Sequence, residues 1–174
     1  MTNKASSGLF ALRRAKRSIT NNQTLISIYN SLILPYFDYC SPVWDSIGTT
    51  LSNNLQKLQN RSARIITGYN YDTRSSTILK ELKWLPLHQR RSIHRGTMLF
   101  KSLNNLAPIY MKNMFSKRSS THSFKLRSHK YNLTLPKPKT EYAKRSFSYK
   151  GATLWNNLPN ELKCITSLHS FSKS

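Results

Sequence analysis

Six acidic side chains are among the groups of this 174-residue sequence that could hold catalytic metal ions or transfer protons, and they are scattered along the chain. Enzymes that use two metal ions need clustered carboxylates, because the ions lie ~3.5–4 Å apart. Asp38 and Asp45 stand seven positions apart, but Pro42 lies between them and interrupts a helix. We therefore expect no catalytic residue among the acidic positions, which are Asp38, Asp45, Asp72, Glu81, Glu141 and Glu161.

Cysteines and histidines give no metal or nucleophile pattern either. Cys40 and Cys164 stand far apart, which fits neither a disulfide framework nor a zinc site. Gly-rich phosphate loops and the serine or Cys–His signatures of nucleophilic enzymes are also missing from the sequence. The sequence predicts no metal ligand and no cofactor on this chain.

Positive charge is the dominant chemical feature. The chain has 28 Lys and Arg against 6 Asp and Glu, a formal net charge of +22, and the first acidic residue is Asp38. Such a surface repels itself and destabilises the compact state. Phosphate backbones are the usual partners that neutralise it, so a nucleic acid is the predicted partner. The cations run from Lys4 to Lys173 and should line folded elements rather than a detachable arm.

Two predicted helices carry most of the candidate binding residues. One begins at Thr50 or Ser52 and ends before Gly68, with leucines and isoleucines on one face. The other covers residues 87–104, with apolar residues such as Ile93 and Leu99 on one side and cations on the other. Like charges so close repel one another, which makes most sense beside phosphates. The predicted phosphate-binding residues on these helices are Lys57, Arg61, Arg64, Arg90, Arg91, Arg95 and Lys101.

A third candidate surface lies near the C-terminus. Thr140 is predicted to cap a long helix that ends near Asn157, with Arg145 on one face between Tyr142 and Tyr149. Arginine and tyrosine planes can stack on unpaired bases, so Arg145 joins the binding set and the two tyrosines are candidate stacking residues. The alternative is a half-buried tyrosine pair that packs on a neighbouring helix. Throughout the chain, the alternative for the basic stripes is the solvated side of ordinary helices.

The sequence predicts a mainly α fold, because helical spacing is common and alternating β patterns are absent. We predict a helical bundle followed by a basic loop and a C-terminal helical extension. The segments are a basic helix in residues 1–20, a helical domain in 21–115, a polar linker in 116–139 and an extension in 140–174 that ends as if truncated. No apolar run reaches the ~18 residues of a membrane span, so no membrane partner is expected.

Several sequence segments in a fixed order resemble one known family. They are LILPYFDYCSPVW (32–44), LQKLQNRSARIITG (55–68), WLPLHQRR (84–91), FKSLNNLAPIY (100–110), LPKPKT (135–140) and ATLWNNLP (152–159). Together they resemble the region downstream of the palm in reverse transcriptases of LINE-type, jockey- and CR1-like non-LTR retrotransposons. The resemblance covers roughly residues 9–172.

The resemblance implies the thumb and post-thumb region of an RNA-directed DNA polymerase, which grips the template–primer. RNA, RNA–DNA hybrid or DNA would be the ligand, and the palm and fingers of the parent polymerase would be the protein partners. The paired catalytic aspartates and two divalent ions, Mg²⁺ in this family, belong to the palm, and no residue here matches them. The chain by itself is therefore expected not to be an enzyme, and the nucleus and cytoplasm are its expected locations.

A second class of function stays open from the sequence. Residues 1–33 contain no acidic residue, are rich in Ser and contain arginines, as import peptides do. A basic helical structural or assembly protein of ribosomal or mitochondrial type, which binds RNA, is the alternative. In that case, import into mitochondria would remove the N-terminal segment near residues 20–35.

Overall fold

Helices make up nearly all regular structure in this computed structural model, which describes residues 2–121 and 131–173. The predicted mainly α fold is confirmed. The one β-type pairing recorded in these ranges is an isolated antiparallel bridge between Lys117 and Leu133. None of the helices described is long and apolar enough to cross a membrane.

In chain order, the described helices are α1 (Thr2–Ser18), α2 (Asn22–Leu32), α3 (Leu34–Asp38), α4 (Ser41–Trp44), α5 (Thr49–Thr67), α6 (Ser75–Glu81), α7 (Leu87–Leu103), α8 (Ile109–Lys112), α9 (Arg118–Thr121), α10 (Glu141–Lys144), α11 (Phe147–Asn157), α12 (Asn160–Lys163) and α13 (Leu168–Lys173).

Local chemistry explains where α2 begins, why Pro35 fits in α3 and where α5 ends. The Asn21 side chain caps α2 by accepting a hydrogen bond from the backbone N–H of Gln23, at 2.8 Å. Pro35 then stands in the first turn of α3, where its missing N–H costs nothing. Gly68 ends α5 with φ +79°, and its N–H donates to the Arg64 carbonyl at 2.8 Å. The predicted end of α5 at Gly68 is confirmed.

The chain divides into two compact units. Unit 1 contains the residues up to Ser41 together with Ile47–Arg91, and unit 2 contains Pro42–Ser46 together with the described residues from Ser92 onward. Helix α7 therefore contributes its first turn to unit 1 and the remainder to unit 2. The four segment boundaries drawn from the sequence stay predictions.

In unit 1, α1 packs on α5 and α2, and α5 packs on α6. The buried side of α1 carries Ala5, Leu9 and Leu12 at helical spacing. Aromatic stacking contributes as well, since the ring centroids of Tyr29 and Trp84 lie 4.1 Å apart.

The core of unit 2 combines α7 with α11. Its buried side chains are Leu99, Phe100, Leu133, Ala152 and Trp155. The Trp155 indole N–H donates to the Tyr131 carbonyl at 2.9 Å, which satisfies the polar edge of a buried ring. Leu133 falls inside the predicted linker of residues 116–139, yet it is buried in this core.

The predicted single helix from Thr140 to Asn157 is wrong in its continuity. Thr140 does cap a helix, because its hydroxyl accepts from the Ala143 N–H. That helix, α10, ends at Lys144, and α11 begins at Phe147. Ser146 has an extended backbone and caps α11 by accepting from the Tyr149 N–H at 3.4 Å. Serine favours a new cap over the helix interior because its side chain competes for backbone groups.

The side-chain amide of Asn156 holds the backbone of residue 133 against α11. Its Oδ1 accepts from the Leu133 N–H at 2.8 Å, and its Nδ2 donates to the Leu133 carbonyl at 3.0 Å. Replacing Asn156 with Leu leaves both backbone groups without these partners, so we expect a loss of about 1–3 kcal/mol in unfolding free energy. Urea unfolding measures this loss. Asn157→Leu, at the exposed neighbouring position, is the control and should change little.

Candidate nucleic-acid interface

Three of the predicted binding residues stand along one side of α5. Lys57, Arg61 and Arg64 are spaced four and three residues apart, which aligns them along the helix axis. The opposite side packs inward through Leu55, Leu58, Ile66 and the small residue Ser62. Lys57 and Arg61 are exposed, and α5 contains no acidic residue. We name these three residues the α5 ridge.

Arg64 is the least accessible member of the α5 ridge. One guanidinium nitrogen, Nη2, donates to the Thr73 carbonyl at 3.0 Å. Its Cζ lies 5.5 Å from the ring centroid of Tyr71, a cation–π distance. Arg64 therefore ties the loop after Gly68 to α5, and it places the exposed Tyr71 ring next to the cations.

Arg90 is committed to an ion pair at the beginning of α7. Its Nε and Nη2 donate to the two carboxylate oxygens of Asp38, both at 2.6 Å. This bidentate geometry is the strong form of an arginine–carboxylate contact, and it raises the pKa of Arg90. Asp38 is thus a structural partner of Arg90.

Arg91 and Arg95 are also engaged within the protein. Only 4% of Arg91 is exposed, and its Nη2 donates to the Ser52 hydroxyl at 2.6 Å. Arg95 pairs with Asp45, and about a tenth of either side chain is exposed. Burial lowers the pKa of both arginines, since the charged form loses hydration.

The predicted division of α7 into an apolar and a cationic side is wrong at two positions. Arg91, assigned to the cationic side, is buried, whereas Ile93, assigned to the apolar side, is 48% exposed. The reason is that Ser52 and the carboxylates Asp38 and Asp45 attract the α7 arginines towards protein rather than solvent. Whether any of these arginines also contacts a nucleic acid stays a prediction.

The remaining predicted residues lie in unit 2. Lys101 is partly buried on α7. Arg145 is also partly buried, with its Cζ 5.6 Å from the ring centroid of Tyr142, which is 72% exposed. Tyr149 lies on α11, beyond the break in the helix, so it does not share a continuous helix with Tyr142 and Arg145.

Helix α1 supplies arginines that the sequence-based set leaves out. Arg13, Arg14 and Arg17 are exposed, and α1 contains no acidic residue. Lys16, one turn along, donates to the Ile66 carbonyl at 2.9 Å, so the end of α1 meets the last turn of α5. Neither α1 nor α5 contains an acidic residue. This shared pattern is the sequence signal that could have grouped the α1 arginines with the α5 ridge.

The described part of the chain offers no candidate metal centre. No group of three or more His, Cys, Asp or Glu side chains within it could hold a metal ion. The two aspartates that the sequence places nearest each other, Asp38 and Asp45, pair with separate arginines. These carboxylates act as internal counterions.

The similarity found among known proteins is to the reverse transcriptases of transposable elements. The relative is a probable RNA-directed DNA polymerase from transposon X-element of Drosophila melanogaster, 31% identical over 106 residues. The match covers 55% of this chain and 11% of that protein, so the chain corresponds to a small part of the relative. No family model and no solved structure matches. A relation to transposon RNA-directed DNA polymerases is what this similarity supports.

Proposed function

We propose that this chain binds duplex nucleic acid, RNA–DNA hybrid, RNA or DNA, as the thumb and post-thumb part of a LINE-type retrotransposon reverse transcriptase. The observation that carries the proposal is the α5 ridge, where exposed Lys57 and Arg61 project from a helix without any carboxylate. Phosphates that displace condensed counterions at such cations gain affinity in proportion to the contacts made. The similarity to a transposon RNA-directed DNA polymerase gives independent support.

Sequence preference should be weak. Lysine and arginine on an exposed ridge contact phosphate oxygens, and such contacts position a duplex without reading its bases. The arginines that could make more specific bidentate contacts, Arg90 and Arg95, are already paired with aspartates. We therefore expect hybrid, RNA and DNA duplexes to compete for the ridge on similar terms.

In a longer polymerase of this kind, the palm and fingers are the proposed protein partners. Unit 1 leaves several large apolar side chains exposed, including Phe10, Leu32 and Tyr39. Leu32 and Tyr36 line a cavity beside Gly8 of α1. The catalytic aspartates and their Mg²⁺ ions belong to that palm, and this chain would contribute grip on the duplex alone.

Charge reversal on the α5 ridge tests the proposal. With Lys57→Glu and Arg61→Glu together, the slope of log affinity against log salt should fall by about one for each residue, because each cation neutralises about one phosphate. Fluorescence anisotropy of a labelled RNA–DNA hybrid, titrated at several salt concentrations, measures the slope. The loss should be equal for hybrids of unrelated sequence.

Lys80→Glu with Lys112→Glu is the matched control. Both lysines are exposed, lie outside the ridge and give the same change of net charge. A ridge variant whose slope equals that of the control would refute the ridge as the interface. Failure of the unchanged protein to bind hybrid in dilute salt would refute duplex binding altogether.

A further inference from the structure

Unit 2 contains a basic cavity in a part of the sequence that looks like a linker. Its volume is about 390 Å³, within the range of small-molecule sites. The walls come from separate segments, which are residue 118 at the start of α9, residues 133–138, α10 and the first turn of α11. The backbone around it is held by the paired segments at 116–118 and 132–134, where the Arg118 N–H donates to the Asn132 carbonyl at 2.9 Å.

Among the described residues, three cations line this cavity and no carboxylate does. Arg118, Lys137 and Lys144 are each contributed by a different segment and are all exposed. Lys137 stands between Pro136 and Pro138, whose rings restrict the backbone on either side of it. Like charges converge on one point only at a cost in repulsion. An anion in the cavity would remove that cost.

Apart from Thr134, the rest of the lining is apolar or aromatic. Pro136, Pro138 and Tyr149 contribute ring surfaces beside the cations. A nucleotide with an unpaired base presents the matching pair of features, a phosphate and a flat apolar face, and aromatic side chains bind such bases by stacking. A duplex cannot fill the cavity in this way, because its bases are stacked on one another and paired inside.

We propose that this cavity binds one nucleotide of a single-stranded nucleic acid, with Arg118 and Lys137 on the phosphodiester and Tyr149 against the base. This site is separate from the α5 ridge, involves residues of unit 2 alone, and does not depend on duplex binding by unit 1.

Glu141 sets the affinity of the site by competing for one of its cations. Its carboxylate pairs with Lys144, but both side chains are largely exposed, at 82% and 46%. An exposed ion pair of this kind is weak, so a phosphate can take over the lysine. Removing the Glu141 charge should therefore tighten binding more than the same change at the exposed Glu161, which does not line the cavity.

The test uses the full chain and a short fluorescent oligothymidylate. Arg118→Ala with Lys137→Ala should weaken binding roughly tenfold and lower the salt slope by about 0.7, the value for one phosphate contact on a single strand. Glu141→Gln should strengthen binding severalfold. Tyr149→Leu, which keeps an apolar side chain, should weaken binding while circular dichroism shows the helices intact.

Competitors identify the source of the phosphate. Thymidine monophosphate should displace the oligonucleotide at lower concentration than inorganic phosphate does, because the base adds stacking. An acidic peptide that competes as well as the nucleotide would overturn the proposal, and so would equal affinities for all cavity variants. Lys57→Glu with Arg61→Glu should leave the effect of the cavity variants unchanged. If this ridge variant loses hybrid binding while the cavity variants keep their effect on oligothymidylate binding, the two sites are distinct.

Discussion

Asp45→Ala is expected to destabilise the protein by about 3–5 kcal/mol, because it leaves the Arg95 guanidinium buried without its counterion. Around 10% of each side chain is exposed, so water cannot take over the role of the carboxylate. The chain has just five other acidic residues, and Asp38 is already paired with Arg90. Urea unfolding, followed by far-UV circular dichroism, measures the loss.

A double replacement separates the effect of the unpaired buried charge on stability from the effect of lost packing. Asp45→Leu with Arg95→Met removes both charges and retains apolar volume, and such exchanges are often neutral or stabilising. We expect the double variant to be clearly more stable than Asp45→Ala. If the two variants were equally destabilised, the ion pair would not be the cause. If Asp45→Ala changed stability by less than about 1 kcal/mol, Arg95 would have to be hydrated in solution.

Phe100→Ala is expected to cost about 3–5 kcal/mol through lost burial and the cavity left in unit 2. The ring is fully buried among Leu99, Leu133 and Trp155, and its centroid lies 4.5 Å from that of Phe171. Protein interiors are close-packed, so the surroundings can collapse into the space only partly. Amide hydrogen exchange of α11 should accelerate, since that helix forms the opposite wall of the core.

Phe10→Ala provides the same chemical change at the surface. Phe10 is 64% exposed on α1, so little apolar area returns to water and the change should stay within about 0.5 kcal/mol. A comparable loss at both positions would mean that Phe100 is not buried in solution. Phe100→Leu should fall between the two, because it retains part of the volume.

Sequence periodicity was sufficient to predict those helices whose ends carry local capping signals. Gly68 at the end of α5 and Asn21 before α2 are caps that act within one turn. The sequence predicts the first, and for the second it leaves Asn21 and Asn22 as alternatives. The break between α10 and α11 was not predictable, because Ser146 can either continue a helix or cap a new one. Packing of α11 on the core of unit 2 decides between these outcomes, and that packing is nonlocal.

What one side of a helix packs against also depends on residues that are distant in sequence. A helical wheel shows that Arg91 and Arg95 share a side of α7, but it does not show what lies opposite. Ser52 is 39 residues from Arg91 in sequence, and Asp45 is 50 residues from Arg95. The cationic character of α7 could therefore be predicted, whereas its use for internal contacts could not.

The burial of Leu133 within residues 116–139 is nonlocal for a similar reason. Polar and proline-rich composition favours an exposed segment, and Arg118 and Lys137 are indeed exposed. Two hydrogen bonds from Asn156, 23 residues further along, fix the backbone at Leu133. These hydrogen bonds hold the backbone at Leu133 in a defined position, and no local sequence pattern predicts them.

The absence of acidic residues from α1 and α5 affects what these helices would bind in a crowded cell. If these helices bind phosphate backbones as proposed, they will be covered by whichever polyanion is most abundant, since mass action and not recognition would govern their occupancy. Choice among RNA molecules would then have to come from elsewhere, such as tethering to the transcript being copied. The helices would give such a protein residence time on its template and leave the selection of that template to other parts.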